Sequence, residues 1–334
     1  MSTAVSMETM ANENALLAAL ARQGRNGIDA DTLALLLGCD SDALARAAQG
    51  LRRRGYDIRL NGTSPCRLGG TSPLLSTEIA EGLRTQVIGS RLVTLGVVPS
   101  TNDVAWQEAL AGAPEGAVVL AEMQSAGRGR MGRSWLAPCG AGILASVVLR
   151  PTLDPNRSNL LTVMSAVAVA QALRDQMRLQ ARIRWPNDIT IKGRKVAGIL
   201  VESRSLPTGG AFVLGIGLNV NMRQKDFPAD LDQEATSLLM ETGVVQDRAE
   251  ILRWLLRSLE RWYRDLRYGD FGRIARRWRE LSSTLGQRVL MIENGREYKG
   301  RVLDLSMEDG LIVRLDEGIT RIFHPSTVTL RQLS

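Results

Sequence analysis

The chain sets three glycines alternating with three arginines between two apolar segments that read as strands. The stretch is Gln124-Ser125-Ala126-Gly127-Arg128-Gly129-Arg130-Met131-Gly132-Arg133-Ser134-Trp135; Ala117-Val118-Val119-Leu120 leads into it and the apolar run 141–150 follows. Glycine lets a backbone come close to a ligand and take positive φ without a Cβ clash. Arginine adds a planar, permanently charged donor fork suited to carboxylate and phosphate. The pattern predicts a strand, then a mobile loop that closes over an anionic small molecule, then a second strand. It is not a Walker loop, because no Gly-Lys-Ser/Thr follows. Nor is it a dinucleotide fingerprint, because Pro138 and two glycines stand where a helix would have to begin. The bland alternatives, a flexible linker or an Arg/Gly tract for nucleic acid, fit less well. The stretch is short, non-repeating and bounded by strand signals.

At 334 residues the chain exceeds one typical core, which predicts two or three domains. A net charge of +7 permits nucleic acid, nucleotide or acidic-protein partners without choosing among them. Residues 1–67 are nearly neutral, with eight Arg against seven acids, whereas 244–280 hold ten Arg against six. Cys39, Cys66 and Cys139 are odd in number and widely spaced, which fits reduced thiols better than a disulfide framework or a zinc site. The one histidine, His324, lies far from the glycine-rich loop, so histidine-based catalysis is not expected. The first twenty residues contain Glu8 and Glu13 and no Lys or Arg, unlike a signal peptide. The longest apolar run, 160–173, is interrupted by Thr162, Ser165 and Gln171 and is too short to span a bilayer. These features predict a soluble, cytoplasmic protein without a membrane partner.

Apolar spacing predicts helices over 13–23, 29–37 and 41–54, the second capped by Asp29 or Asp31 and the third by Ser41. Strands 56–60 and 66–68 flank an Asn61-Gly62 turn. That order is the pattern of a winged helix-turn-helix over 1–68. On its third helix Ser41, Arg46 and Gln49 are the candidate base readers, and Arg53 with its arginine neighbours is placed for phosphates. The helix is otherwise alanine-rich and carries Asp42, which keeps a pure packing role open. A Gly/Ser/Thr/Pro-rich linker and a helix near 77–85 fill 69–90.

The segment 91–284 opens with strand 92–98 and Pro99-Ser100-Thr101-Asn102, where Ser100 or Thr101 can cap a helix over 103–111. Strands follow at 117–123, 141–150, 182–185, 188–191, 195–203 and 212–220, and helices at 158–177, 236–239, 249–268 and 271–281. The predicted class is α+β, a mixed sheet with helices packed on one side. Over 285–334, five short strands (288–292, 297–305, 311–315, 319–323, 327–330) read as a small barrel packed on the main domain. Lacking an aromatic and basic stripe, it reads as a structural cap on the active site more than a nucleic-acid module.

Four separated segments then agree: Ser100-Thr101-Asn102, the 124–135 loop, Arg184-Trp185-Pro186-Asn187-Asp188, and Lys195-Val196-Ala197-Gly198-Ile199-Leu200-Val201-Glu202. With Gly215-Ile216-Gly217-Leu218-Asn219-Val220-Asn221, their order and spacing resemble biotin–protein ligases, and the whole chain resembles the bacterial bifunctional ligase/repressor form. The resemblance implies a winged helix, a central mixed-sheet domain related to class II synthetase and lipoate ligase folds, and an SH3-like β-barrel. It implies biotin and ATP as substrates with Mg2+. Its implied partners are a biotin carboxyl carrier protein of acetyl-CoA carboxylase, operator DNA, and a second copy of the chain when ligand is bound.

Residue by residue, the resemblance assigns biotin binding to Ser100, Thr101, Asn102, Gln124, Gly127, Arg128, Gly129, Arg130, Lys195 and Gly198. It assigns the nucleotide to Arg130, Arg133, Trp135, Asn187, Lys195 and Asn219. Catalysis falls to Lys195, Arg130, Asp188 and Arg128, with Asp188 a candidate magnesium ligand. Many family members carry lysine where this chain has Arg184 before Trp-Pro-Asn-Asp; arginine keeps the charge but not the point-donor geometry. The competing readings are a ligase whose N-terminal domain does not bind an operator, a ligase for lipoate or another acid, and a regulator whose central domain only senses a ligand.

Overall fold

The computed structural model describes residues 2–23, 27–53, 56–61, 64–68, 73–206, 209–229 and 234–333. Its N-terminal unit comprises α1 (Ser2–Gln23), α2 (Ala30–Leu37), α3 (Ser41–Arg53) and the antiparallel hairpin β1 (Ile58–Asn61) and β2 (Ser64–Leu68). The first helix begins well before residue 13, where the apolar pattern starts. Asp29 caps α2, accepting from the Thr32 N–H at 2.9 Å, and Gly38 ends it at φ +62°. The cap of α3 is Asp40 and not Ser41: the Asp40 carboxylate accepts from the Ala43 N–H at 2.6 Å, because its side chain sits one residue before the helix and reaches the third turn donor. Leu16, Leu17, Leu20, Leu33, Leu44, Leu51 and Ile58 form a separate small core. At Gly50 a Cβ would lie 1.7 Å from Glu13 Oε1, so glycine is what lets α3 close on α1. Arg54, the Gly62 of the expected turn and the linker residues 69–72 lie outside the described residues.

The connector holds α4 (Ser76–Ala80), shorter than the helix expected over 77–85, and leads to β3 (Leu92–Val98). Next come α5 (Thr101–Leu110), β4 (Val118–Gln124), β5 (Gly142–Leu149) and α6 (Ser158–Met177). Then follow β6 (Ala181–Arg184), β7 (Asp188–Ile191), β8 (Arg194–Leu206), β9 (Gly209–Asn219), α7 (Leu238–Thr242), α8 (Arg248–Arg267) and α9 (Phe271–Leu281). The seven strands run in the order β3-β4-β5-β9-β8-β7-β6; β3 and β4 are parallel and every other pair is antiparallel. Mixed sheet and α+β class are as expected.

The helices, however, lie on both faces. Leu160, Val163, Val167, Leu255, Leu259 and Trp278 cover Val118, Leu120, Ile143 and Val147 on one side. Ala105, Trp106 and Ala109 of α5 cover Val119, Val148 and Val213 on the other. A central strand that is apolar at successive positions must be covered twice, and β5 is buried at every position from Gly142 to Leu149. That two-sided burial overturns the one-sided expectation.

After α9 come β10 (Arg288–Glu293), β11 (Arg296–Ser306), β12 (Gly310–Leu315), β13 (Thr320–Phe323) and β14 (Val328–Gln332), an antiparallel sheet in the order β13-β12-β11-β10-β14. Val289, Met291, Val302, Leu311, Val313 and Phe323 from it join the main core, so this unit packs on the central domain as expected. No helix among the described residues is long and apolar enough to cross a membrane.

Candidate active site

A cleft of about 1100 Å³ opens between β8 and β9, the 184–188 segment, the start of α5, the glycine-rich loop and the edge of the C-terminal sheet. At one end lies a buried polar cluster. Gln124 Oε1, at the end of β4, accepts from the Thr101 N–H at 2.7 Å and from its hydroxyl at 3.0 Å. Ser146 Oγ of β5 donates at 2.7 Å to Thr101 Oγ1 or to Asn102 Oδ1, the two lying within one hydroxyl's reach. Thus the N-terminus of α5 is capped by a side chain from the neighbouring strand, and neither Ser100 nor Thr101 caps it as expected. Asn102 Nδ2 is buried and has no hydrogen-bond partner, and Asn102 lines the cleft. Such a donor is costly to leave unmade, by about 1–3 kcal/mol. A Cβ at Gly215 would come 2.5 Å from Asn102 Oδ1, so that glycine makes the space in which the amide sits.

The 124–135 loop folds back on itself. Trp135 N–H donates to Gly127 O at 2.9 Å, and Gly129 N–H to Arg133 O at 2.6 Å. A Cβ at Gly127 would meet Trp135 O at 2.4 Å, so its glycine serves this close backbone approach, and Gly127 is not among the residues lining the cleft. Ser100, Arg128, Gly129, Arg130, Arg133 and Trp135 do line it. Arg128 reaches back to Asp103 at 2.6 and 2.8 Å and to Glu202 at 3.4 Å; the hydrogen bonds it donates to the Asp103 carboxylate hold its guanidinium pKa above the ordinary value. Arg130 donates to Asn187 Oδ1 at 3.4 Å and to the Pro325 carbonyl. Burial pushes its pKa down, while the nearby Asp188 carboxylate opposes that shift.

The opposite end is cationic. Lys195 Nζ lies 2.6 Å from Asp188 Oδ1, and Arg184 Nη2 lies 3.3 Å from Asp188 Oδ2. Lys195 Nζ also stands 5.3 Å from the Trp135 ring centroid. The ring rests on two glycines: a Cβ at Gly217 would lie 2.3 Å from Trp135 Cε2, and one at Gly198 would lie 2.9 Å from Cζ3. Trp135 Nε1 is buried without a partner. Asn187 and Asn219 also line the cleft; their amide nitrogens donate to Ile199 O at 2.6 Å and to Thr236 O at 3.0 Å. Asp188 has both oxygens engaged by cations, and no cluster of three His, Cys, Asp or Glu that could hold a metal occurs among the described residues.

Two features escaped the sequence reading. Ser146 reads there as one small polar residue inside an apolar strand; only the sheet register turns it toward Thr101 and Asn102. The C-terminal sheet supplies Val328, Thr329, Leu330 and Arg331 to the cleft wall, and Thr329 Oγ1 donates to Met131 Sδ at 3.4 Å. His324 is distant from the loop only along the chain. The turn that carries it brings Pro325 against Arg130, while its own ring bonds Ser326 Oγ at 2.6 Å. Ser41, Arg46, Gln49 and Arg53 lie apart from the cleft residues, exposed on α3 with Asp42 and Ala45. Arg52 there is structural, donating to Ile58 O at 2.9 Å.

Residues 95–221 match the Biotin/lipoate A/B protein ligase family. The chain is 34% identical over 310 residues to the bifunctional ligase/repressor BirA of Bacillus subtilis, an alignment spanning 92% of this chain and 95% of that protein. It is 34% identical over 234 residues to the biotin–[acetyl-CoA-carboxylase] ligase of Mycobacterium tuberculosis, spanning 67% of this chain and 85% of the relative. Among solved structures, the biotin protein ligase from Aquifex aeolicus in complex with biotin and ATP is similar with a TM-score of 0.63 and 26% identity, covering 73% of this chain and 100% of that one.

Proposed function

The chain belongs to the biotin/lipoate A/B protein ligase family, and from that membership we propose that it is a biotin–protein ligase that also represses transcription. It activates biotin with ATP and passes the biotinyl group to a lysine of a biotin carboxyl carrier protein of acetyl-CoA carboxylase. The observation that carries this reading is one cleft holding both a neutral polar pocket, ending in the unpartnered Asn102 Nδ2, and a cationic corner at Lys195. A ureido carbonyl suits the first and a carboxylate meeting a phosphate suits the second.

In the first half-reaction a biotin carboxylate oxygen attacks the α-phosphorus of ATP. The bond to the bridging oxygen breaks and pyrophosphate leaves. Lys195 offsets negative charge on the carboxylate and phosphate oxygens, and Arg130 encloses the adenylate and keeps water from it. Trp135 forms the wall beside the adenylate, with Arg133, Asn187 and Asn219 around the nucleotide. In the second half-reaction the carrier's ε-amine attacks the acyl carbon, the acyl–oxygen bond breaks and AMP leaves. Asp188, salt-bridged to Lys195, is the carboxylate placed to take the amine's proton. Neither step requires an enzyme nucleophile, so positioning and charge stabilisation account for catalysis.

Alternatively, Asp188 would be the carboxylate that holds a magnesium ion delivered with the triphosphate, since such an ion is held through one or two carboxylates and substrate phosphates; Lys195 or Arg184 would then have to release it. When bound the ion neutralises phosphate charge. Arg128 joins the ligand by exchanging Asp103 for an anion.

We assign residues 1–68 to a winged helix-turn-helix, 69–90 to linker and connecting helix, 91–284 to the ligase domain and 285–334 to an SH3-like barrel. The second reading, a ligase without operator binding, is favoured by Asp42 and Ala45 on the exposed face of α3. ATP-dependent labelling of a carrier domain, wild type beside Lys195→Ala, tests the enzyme. Transfer that collapses in the variant supports the assignment, and no transfer by folded wild type refutes it. A gel shift with operator DNA at stated salt separates the two readings, since phosphate-driven binding weakens steeply with salt.

A further inference from the structure

We infer that Glu241 is a positioning residue for Lys195. Glu241 lies on α7, outside the cleft, and its carboxylate is almost wholly buried, with 1% of the side chain exposed. It gathers three donors. Oε1 accepts from Arg194 Nη2 at 2.6 Å and from Thr236 Oγ1 at 2.7 Å, and Lys192 Nζ lies 3.1 Å from Oε2. These three residues surround Lys195 in the backbone. Lys192 and Gly193 form the turn between β7 and β8, both left-handed at φ +50° and +79°, and Arg194 directly precedes Lys195. Lys195 N–H donates to Glu234 O at 2.7 Å, and Lys195 O accepts from Thr236 N–H at 2.8 Å. One buried carboxylate therefore grips the turn before Lys195 and the strand-like segment beside it.

Such a grip is needed because the backbone is irregular there. Ile189 pairs with Ala197 while Thr190 pairs with Lys195, so Val196 is an extra residue in β8. A bulge re-aims the side chains beside it and disrupts the ladder that would otherwise hold them. Lys195 is thus turned toward Asp188 and Trp135 at a point where sheet pairing alone holds it weakly. Burial pushes the Glu241 pKa up, but the bonds from Thr236, Lys192 and Arg194 outweigh that and keep it below the ordinary glutamate value, so the grip is ionic at neutral pH.

The inference rests on the ligase reading for its kinetic test, and a second readout is independent of it. Glu241→Gln keeps shape and removes charge. Biotin-dependent ATP–pyrophosphate exchange in this variant is expected to lose about 10- to 100-fold in kcat, the scale of a misplacement near 1 Å, with the KM for biotin changing less. In a Lys195→Ala background the same substitution is expected to add no further loss, because the two act through one group. For the independent readout, the chain has four lysines, 192, 195, 225 and 299. After reductive 13C-methylation, the Lys195 resonance is expected to shift or broaden in Glu241→Gln while those of Lys225 and Lys299 stay. Should Glu241→Gln unfold, Thr236→Val removes one of the bonds and is expected to give the same effects at smaller size. Unchanged kcat with an unmoved Lys195 resonance overturns the proposal, as does an equal loss in the Lys195→Ala background. Wild-type protein without exchange activity refutes the ligase reading, and the Lys195 resonance still decides the role of Glu241.

Discussion

Gly215→Ala tests the polar end of the cleft by displacing Asn102 without changing any of its polar groups. The added methyl would stand 2.5 Å from Asn102 Oδ1, 3.2 Å from Cγ and 3.3 Å from Nδ2. Ordinary contact begins near 3.5 Å, so the carboxamide has to retreat by about 1 Å. Asn102 is only 3% exposed, and the space open to it is the cleft it lines, so the retreat takes the amide out of its place. The same retreat stretches the 2.7 Å bond to Ser146 Oγ beyond hydrogen-bonding range, while Ser146 keeps Thr101 as a partner. In the free protein this costs about 0.5–1.5 kcal/mol of stability, one ordinary hydrogen bond. In the complex Nδ2 no longer meets the ligand acceptor, a further loss of about 1–3 kcal/mol, or roughly 5- to 150-fold in biotin affinity. Calorimetric titration of biotin into the folded variant measures this, with the KM for ATP at saturating biotin expected to stay within about twofold of wild type. Biotin binding within twofold of wild type would refute the placement of the ureido ring beside Asn102.

Three further outcomes are expected. Glu122 and Arg248 are buried partners 2.8 Å apart, at 5% and 6% side-chain exposure, and Glu122 also accepts from the Leu74 N–H at 2.6 Å. Glu122→Ala is expected to destabilise by about 3–5 kcal/mol in urea unfolding, and the double change of Glu122→Met with Arg248→Met by clearly less; equal losses would deny the charge argument. Glu241 has a depressed folded pKa, so its contribution to stability is full above its ordinary 4.5 and is lost as pH falls below that. Acid unfolding of Glu241→Gln is therefore expected to be less steep than wild type below pH 4.5, and parallel profiles would contradict it. Finally, a weak dimer is expected to tighten when biotinyl-adenylate is bound, and sedimentation at micromolar protein that shows no ligand dependence would rule it out.

Most elements of the central domain were legible because their signals are local. The helix Ser158–Met177 and the strand Asp188–Ile191 follow from apolar spacing and from the turn residues that bound them. The glycine-rich loop was legible for the same reason, since Gly and Arg declare a close approach and a fixed charge in any context. The caps were less so. Asp40 and Ser41 are adjacent and both suited to capping, and the choice depends on where α3 begins, a boundary that propensity places poorly. The second layer was missed because α5 is short and its Ala105, Trp106 and Ala109 read as ordinary amphipathic spacing, whatever sheet face they meet.

The amino-acid order alone determined the inventory: a Gly/Arg loop between strands, a lysine before an apolar strand, carboxamide and hydroxyl groups at a helix start, and a separate run of short strands at the end. Each follows from properties a residue carries wherever it is placed. Tertiary structure alone decided which of these groups meet. It brought Ser146 beneath Asn102 through the register of β4, β5 and β9, and set Trp135 on two glycines of different strands. It carried the end of the chain back to Arg130, and placed Glu241 behind Lys195 across a bulge. These contacts join positions far apart in the chain, so they are set by strand register and layer packing, which no local pattern encodes.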